Sequence, residues 1–240
     1  MTSPARADWL IPTALLALGV VPVAAGAVRL AQLGAGAPIT PDAARFFAAP
    51  WPAVLHIVGA TLFCIIGAFQ FAPGLRRSKA GWHRSAGRAL VPCGLVAALS
   101  GLWLTQFYPP GATPPASFDG PFVYVMRLLA GSAMATCLGL GLVAALRRDI
   151  PRHQAWMVRG YALGLGAGTQ ALTHLPWFLF PRIQGEAARA LFMGAGWALN
   201  IAMAEWLIVR GRQSDSSPAP RRPFAGRAER ARRTQDNSSS

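Results

Sequence analysis

Residues 122–146 read FVYVMRLLAGSAMATCLGLGLVAAL, and residues 147–159 read RRDIPRHQAWMVR. The first stretch has a single charge, Arg127, in 25 residues; the second has four arginines and an aspartate in 13. A helix rises about 1.5 Å per residue, so the first stretch extends about 37 Å and can cross a hydrocarbon core of about 30 Å. The switch from apolar to basic is that of a helix leaving lipid for water.

The pattern recurs along the chain. Apolar stretches at 9–30, 51–72, 87–107, 158–180 and 190–209 are also long enough to cross. The sequence therefore predicts an all-α integral membrane bundle of six transmembrane helices, one domain over residues 1–210. Of the 240 residues, 53% are hydrophobic and 13% charged, about half the charged share of a soluble domain. A net charge of +14 can signal nucleic-acid binding. Here the basic residues lie where membrane topology places them, so no nucleic-acid partner is expected.

Orientation follows from the count. Arg6, the loops 75–88 and 146–159 and the segment after 209 hold 18 basic residues, against five (Arg29, Arg45, Arg127, Arg182, Arg189) on the opposite side. The positive-inside rule puts the richer side in the cytoplasm, with both termini inside, and a bacterial inner membrane as the setting. Residues 211–240, rich in Arg, Ser and Pro, read as a disordered basic tail drawn to anionic lipids of the inner leaflet. Ala25-Gly26-Ala27 has the small-residue spacing of a signal cleavage site. The length of the preceding run, and Pro12 and Pro22 within it, favour its retention as a helix.

The inner loops resemble each other: Leu75-Arg76-Arg77-Ser78 parallels Leu146-Arg147-Arg148-Asp149, and Arg88 and Arg159 follow 13 residues after each leucine. If the halves are duplicated, spans two to five form a core of four antiparallel helices.

All four histidines lie in this core. His56 and His174 fall about 7–9 Å inside the outer ends of spans two and five by helix rise. His83 and His153 sit together at the inner side. Two pairs at two depths are what a membrane protein holding two haem b groups needs, each iron between two imidazoles. Arg84, Arg88 and Arg159 would serve propionates on the inner side and Arg127 on the outer. The competing readings are plain: His83 and His153 at the water boundary, His56 and His174 bonded to neighbouring helices, Arg127 reaching out to the surface. Glu205 is placed to pair with an inner arginine or to carry protons. Cys64, Cys93 and Cys137 lie in apolar runs without metal spacing and read as small packing residues.

Gly67-Ala68-Phe69-Gln70-Phe71, Leu75-Arg76, His83-Arg84 with Gly87-Arg88, and His153 with Trp156-Met157, Arg159 and Tyr161-Ala162-Leu163 together resemble a bacterial family of multi-pass membrane proteins, a domain-of-unknown-function family. The resemblance covers about residues 55–170. It implies a membrane helical bundle, highlights His83, Arg84, Arg88, His153 and Arg159, and supplies no reaction. Members commonly carry an arginine where this chain has Gln170, so His174 gains nothing from it.

The leading expectation is a haem b electron-transfer protein with a quinone or another redox partner. The first alternative is a non-catalytic protein binding lipid or a protein through its basic inner loops; the second is a small-molecule transporter. A transporter usually shows broken helices or ionisable groups at mid-membrane. The ionisable groups here lie near span ends, which counts against it.

Overall fold

The computed structural model describes residues 4–109, 111, 113, 114 and 116–216. The helices are α1 (Pro4–Gly34), α2 (Ala44–Ala48), α3 (Pro50–Gln70), α4 (Pro73–Ser78), α5 (Ala80–Phe107), α6 (Pro121–Leu146), α7 (Ile150–Gly164), α8 (Gly166–Thr173), α9 (Leu175–Leu179) and α10 (Glu186–Ser216). No strand occurs among the described residues. Proline opens α3, α4, α6, α7 and α9, where its missing N–H costs nothing. The Asp149 carboxylate caps α7 by accepting from the Arg152 backbone N–H at 3.2 Å.

Five helical stretches are long and apolar enough to cross a membrane: Trp9–Gly34, Pro50–Gln70, Ala80–Phe107, Pro121–Leu146 and Glu186–Gln213. At most 33% of any one is buried inside the protein, so their apolar side chains mostly face outward. A surface of that kind needs lipid around it. The all-α membrane bundle read from the sequence is therefore what the chain forms.

The count of six continuous spans is corrected. The stretch 158–180 is not one helix but parts of three, interrupted at Leu165 and at His174, both with ψ near 0°. Gly164, Gly166 and Gly168 weaken the first junction. There the Leu165 carbonyl receives both the Gly168 and Thr169 N–H groups. At the second junction Pro176 cannot donate to the preceding turn. Of the three pieces, α7 runs back along α6 and α8 packs against α1. His153 Nδ1 donates to the Gly141 carbonyl near the end of α6 (2.9 Å), and Trp177 meets Phe118 just before its start (5.4 Å between rings).

The loops alternate between two ends as the charge pattern requires. Trp9, Phe69 and Trp82 stack at the arginine-rich end. At the opposite end Phe46 stacks on Tyr108 and Arg45 donates to the Pro109 carbonyl. The buried core is Phe63, Leu90, Ala98, Met134, Leu138, Tyr161 and Leu165, drawn from α3, α5, α6 and the end of α7, the four expected core spans. The Tyr161 hydroxyl donates to the Cys64 carbonyl at 2.8 Å, and its ring occupies the space that a side chain on Gly67 would need.

Helix α10 is held to the interrupted pass by polar bonds. Arg159 makes a bidentate pair with Glu205 (2.5 and 2.8 Å). Thr169 donates to Asn200 (2.7 Å), and Asn200 donates to the Ala162 carbonyl (3.0 Å). Gln170 and Thr173 donate to the Met193 and Phe192 carbonyls. The described residues up to Trp206 cluster as one compact unit, and those from Leu207 on form a second. In the second, the described residues complete α10, which runs to Ser216, six residues beyond the expected boundary at 210. The rest of the expected tail, 217–240, lies outside the described residues.

Gly168 faces the Leu18 backbone so closely that an added methyl would overlap its carbonyl oxygen, whereas nothing lies within 4 Å of that position at Gly139. Gly168→Ala is expected to destabilise the protein by about 1–3 kcal/mol, and Gly139→Ala to be neutral or stabilising. Thermal unfolding in detergent checks the contrast.

Candidate functional site

Where α3, α5, α6, the interrupted pass and α10 come together, small residues leave a cavity of about 900 Å³. That is large for a small-molecule pocket, typically about 300–1,000 Å³. Ala98, Gly131 and Gly164 supply the space, and Phe63, Met134 and Trp197 give an apolar wall. Both junctions border it, through Gly164 and His174.

One end is charged. Asp119, just before α6, is held between two arginines: Arg127 Nη2 lies 2.6 Å from Oδ2, and Arg189 Nε lies 2.9 Å from Oδ1. Arg189 and Asp119 are nearly buried, with side chains 12% and 10% exposed. Arg45 is the third cation at the cavity. Its Nη1 donates to the Pro109 carbonyl at 2.8 Å, but its Nε is buried without a partner. Burial pushes the Arg45 guanidinium below its usual range; Asp119 opposes the shift and Arg127 adds to it.

His56 and His174, paired by depth in the sequence, both line this cavity. His56 Nδ1 donates to the Ala97 carbonyl across to α5 (2.8 Å), and the ring packs on Gly101, where an added methyl would come within 3.0 Å. Because a carbonyl only accepts, Nδ1 carries a proton, and in the neutral ring Nε2 then keeps its lone pair. His174 is 4% exposed. Its Nδ1 donates to the Gln170 carbonyl one turn back (2.7 Å), and its Nε2 accepts from Arg189 Nη1 (2.8 Å). So one imidazole nitrogen is free and the other is already engaged.

The inner pair lies at the arginine-rich end. His83, in the first turn of α5, has a buried Nδ1 without a partner, and both Arg76 and His153 are near enough to act on its charge. His153 is anchored on Gly141. The expected arginines separate. Arg127 is at the cavity, bonded to Asp119 rather than reaching out alone. Arg84 and Arg88 are exposed at the start of α5 and do not line the cavity. Arg159 is committed to Glu205 and lies 4.9 Å from the Trp156 ring.

Arg45, Arg189, Asp119 and Gln170 also line the cavity, and the sequence reading did not single them out as a site. The signal was available: three of the few arginines on the arginine-poor side, and the one acidic residue in the loop 108–121.

Asp119→Asn would leave Arg127 and Arg189 facing each other without their anion. Removing one partner of a buried pair costs about 3–5 kcal/mol. The exposed Asp149–Arg152 pair (3.3 Å) is worth about 0–1 kcal/mol, and Asn at 149 can still cap α7. Thermal unfolding is therefore expected to fall markedly for Asp119→Asn and barely for Asp149→Asn.

No curated protein and no solved structure matches the chain. A family profile described as "Predicted membrane protein (DUF2306)" matches residues 53–208, from α3 through the cavity and into α10. The chain belongs to this family of membrane proteins.

Proposed function

We propose that the protein is a membrane redox protein that holds haem b in the cavity between His56 and His174. The supporting observation is that two imidazoles from different helices share one apolar cavity, each with Nδ1 donated to a backbone carbonyl. A metal-bound histidine commonly holds its second ring nitrogen in this way, which fixes the tautomer that offers Nε2 to the metal. The arginines at the charged end suit propionates. On this reading Arg189 would give up His174 Nε2 and serve a propionate instead. Haem held here would supply one-electron chemistry between a membrane quinol and an acceptor. The inner pair, His83 and His153, would hold a second haem, with Arg84 and Arg88 beside it. The arginine-rich end would face the cytoplasm of a bacterial cell, against anionic lipid.

Transport is the second reading, and one observation favours it. The pass formed by α7, α8 and α9 is interrupted twice beside the cavity, and discontinuous helices at a binding site are a feature of carriers. This reverses the sequence argument against transport. On this reading the cavity would carry an acidic, largely apolar solute.

Absorption spectroscopy separates the two. Protein purified in detergent from haem-replete cells is expected to show a Soret band that shifts on reduction. His56→Ala and His174→Ala should each abolish the same haem signal, while His83→Ala spares it. A folded but colourless protein contradicts the redox reading.

A further inference from the structure

We infer that the charged end of the cavity is a carboxylate subsite, in which Arg45 takes the acidic group of an amphipathic ligand whose apolar body fills the space beyond. This deepens the reading of the cavity as a ligand site but does not require the ligand to be haem.

Three cations, Arg45, Arg127 and Arg189, face the cavity with Asp119 as the one carboxylate among its lining residues. Both Asp119 oxygens are already used, one by each of the other arginines. The nearby acids do not line the cavity: Asp42 accepts from the backbone and hydroxyl of Thr113, and Glu186 lies against Gly120. Arg29 and Arg45 both lie over the Phe46 ring, at 4.4 and 4.9 Å, and the Asp42 charge also acts on Arg45. What sets Arg45 apart is a buried Nε that has no acceptor. A buried donor left unpaired is costly, and an anion accepting from Arg45 would remove that cost.

The space beside Arg45 has the right size. A side pocket of about 90 Å³, lined by Arg45, Thr105, Tyr108, Tyr124, Asp119 and Arg127 among others, adjoins the main cavity. Its two phenols are already donating, Tyr108 to the Ala49 carbonyl and Tyr124 to Gln106 (2.6 Å). The guanidinium groups are therefore the donors left for a guest, and their planar fork matches a carboxylate. Val21, Leu175 and Phe178 border the cavity while remaining 59%, 51% and 60% exposed. A ligand dissolved in the hydrocarbon thus meets the cavity from the side, with its acid group toward the arginines. A fatty acid and a haem propionate share this chemistry.

The test titrates palmitate, hexadecanol and haem separately into the full-length protein in an uncharged detergent, followed by native mass spectrometry. Wild-type protein should bind palmitate more tightly than hexadecanol. Arg45→Gln should weaken palmitate by about tenfold or more, leave hexadecanol unchanged, and weaken haem as well if propionates use the subsite. Arg45→Lys, which keeps the charge but not the fork, should fall between, and serves if Arg45→Gln does not fold. Arg152→Gln, in the exposed pair with Asp149, should have no effect. Palmitate weakened by Arg45→Gln in a protein that binds no haem upholds the subsite and rejects the haem reading. Unchanged affinity for both acids in the Arg45 variants, hexadecanol binding as tightly as palmitate, or neither acid binding wild-type protein overturns the inference.

Discussion

At the first interruption of the fifth pass, Asn200 accepts from Thr169 and donates to the Ala162 carbonyl. In hydrocarbon no water is present to satisfy a backbone group freed by a broken helix, so the break needs protein partners. Asn200 supplies one, and Gln170, Thr173 and the Arg159–Glu205 pair extend the attachment on either side. The same break gives the cavity its shape. Gly164 borders it from one side of the junction and Ala167 from the other, and a continuous helix would not turn His174 to meet Arg189 in the same way. Cavity and interrupted pass are one feature, held open by α10.

The charged end depends on a second constraint. Arginines near a membrane are tolerated where they find an anion or water. Asp119 neutralises one of the three charges at the cavity while fixing the direction of two guanidinium groups. What remains is an arginine-rich end beside an apolar space, with two histidines along its walls. That combination favours a guest that is acidic at one end and apolar at the other. A fatty acid has partners for the arginines and the apolar wall; the proposed haem would in addition call on the two histidines.

Much of the fold could be read from the sequence because lipid imposes a simple code. Long, nearly charge-free runs gave five unbroken helices, with α3 and α6 within two residues of their observed bounds but α5 starting seven residues earlier and α10 ending seven residues later than expected, and the loop charges gave the alternation of ends. The interrupted pass was not readable, because glycine and proline alone do not break a helix here: Pro12 and Pro22 lie inside α1 and Pro92 inside α5. What decides the outcome at Leu165 is a set of partners on α10, some 30 residues away in Asn200. Helix rise gave His56 and His174 similar depths, since depth is a one-dimensional property, and both border the cavity. The arginine cluster was not, because Arg45, Asp119 and Arg189 lie in or beside loops, where sequence spacing carries no spatial information. Counted for topology, those arginines are a minority; placed in space, they are the site.

A cavity of this kind is expected to hold a ligand in the membrane. Native mass spectrometry of protein released directly from its membrane tests it. The account predicts a one-to-one adduct, haem or an acidic amphiphile, that is absent from a well-folded Ala171→Phe variant, in which a cavity-lining alanine is replaced by a ring that fills the space. A bare chain from native membranes, or the same adduct on the filled variant, would contradict it.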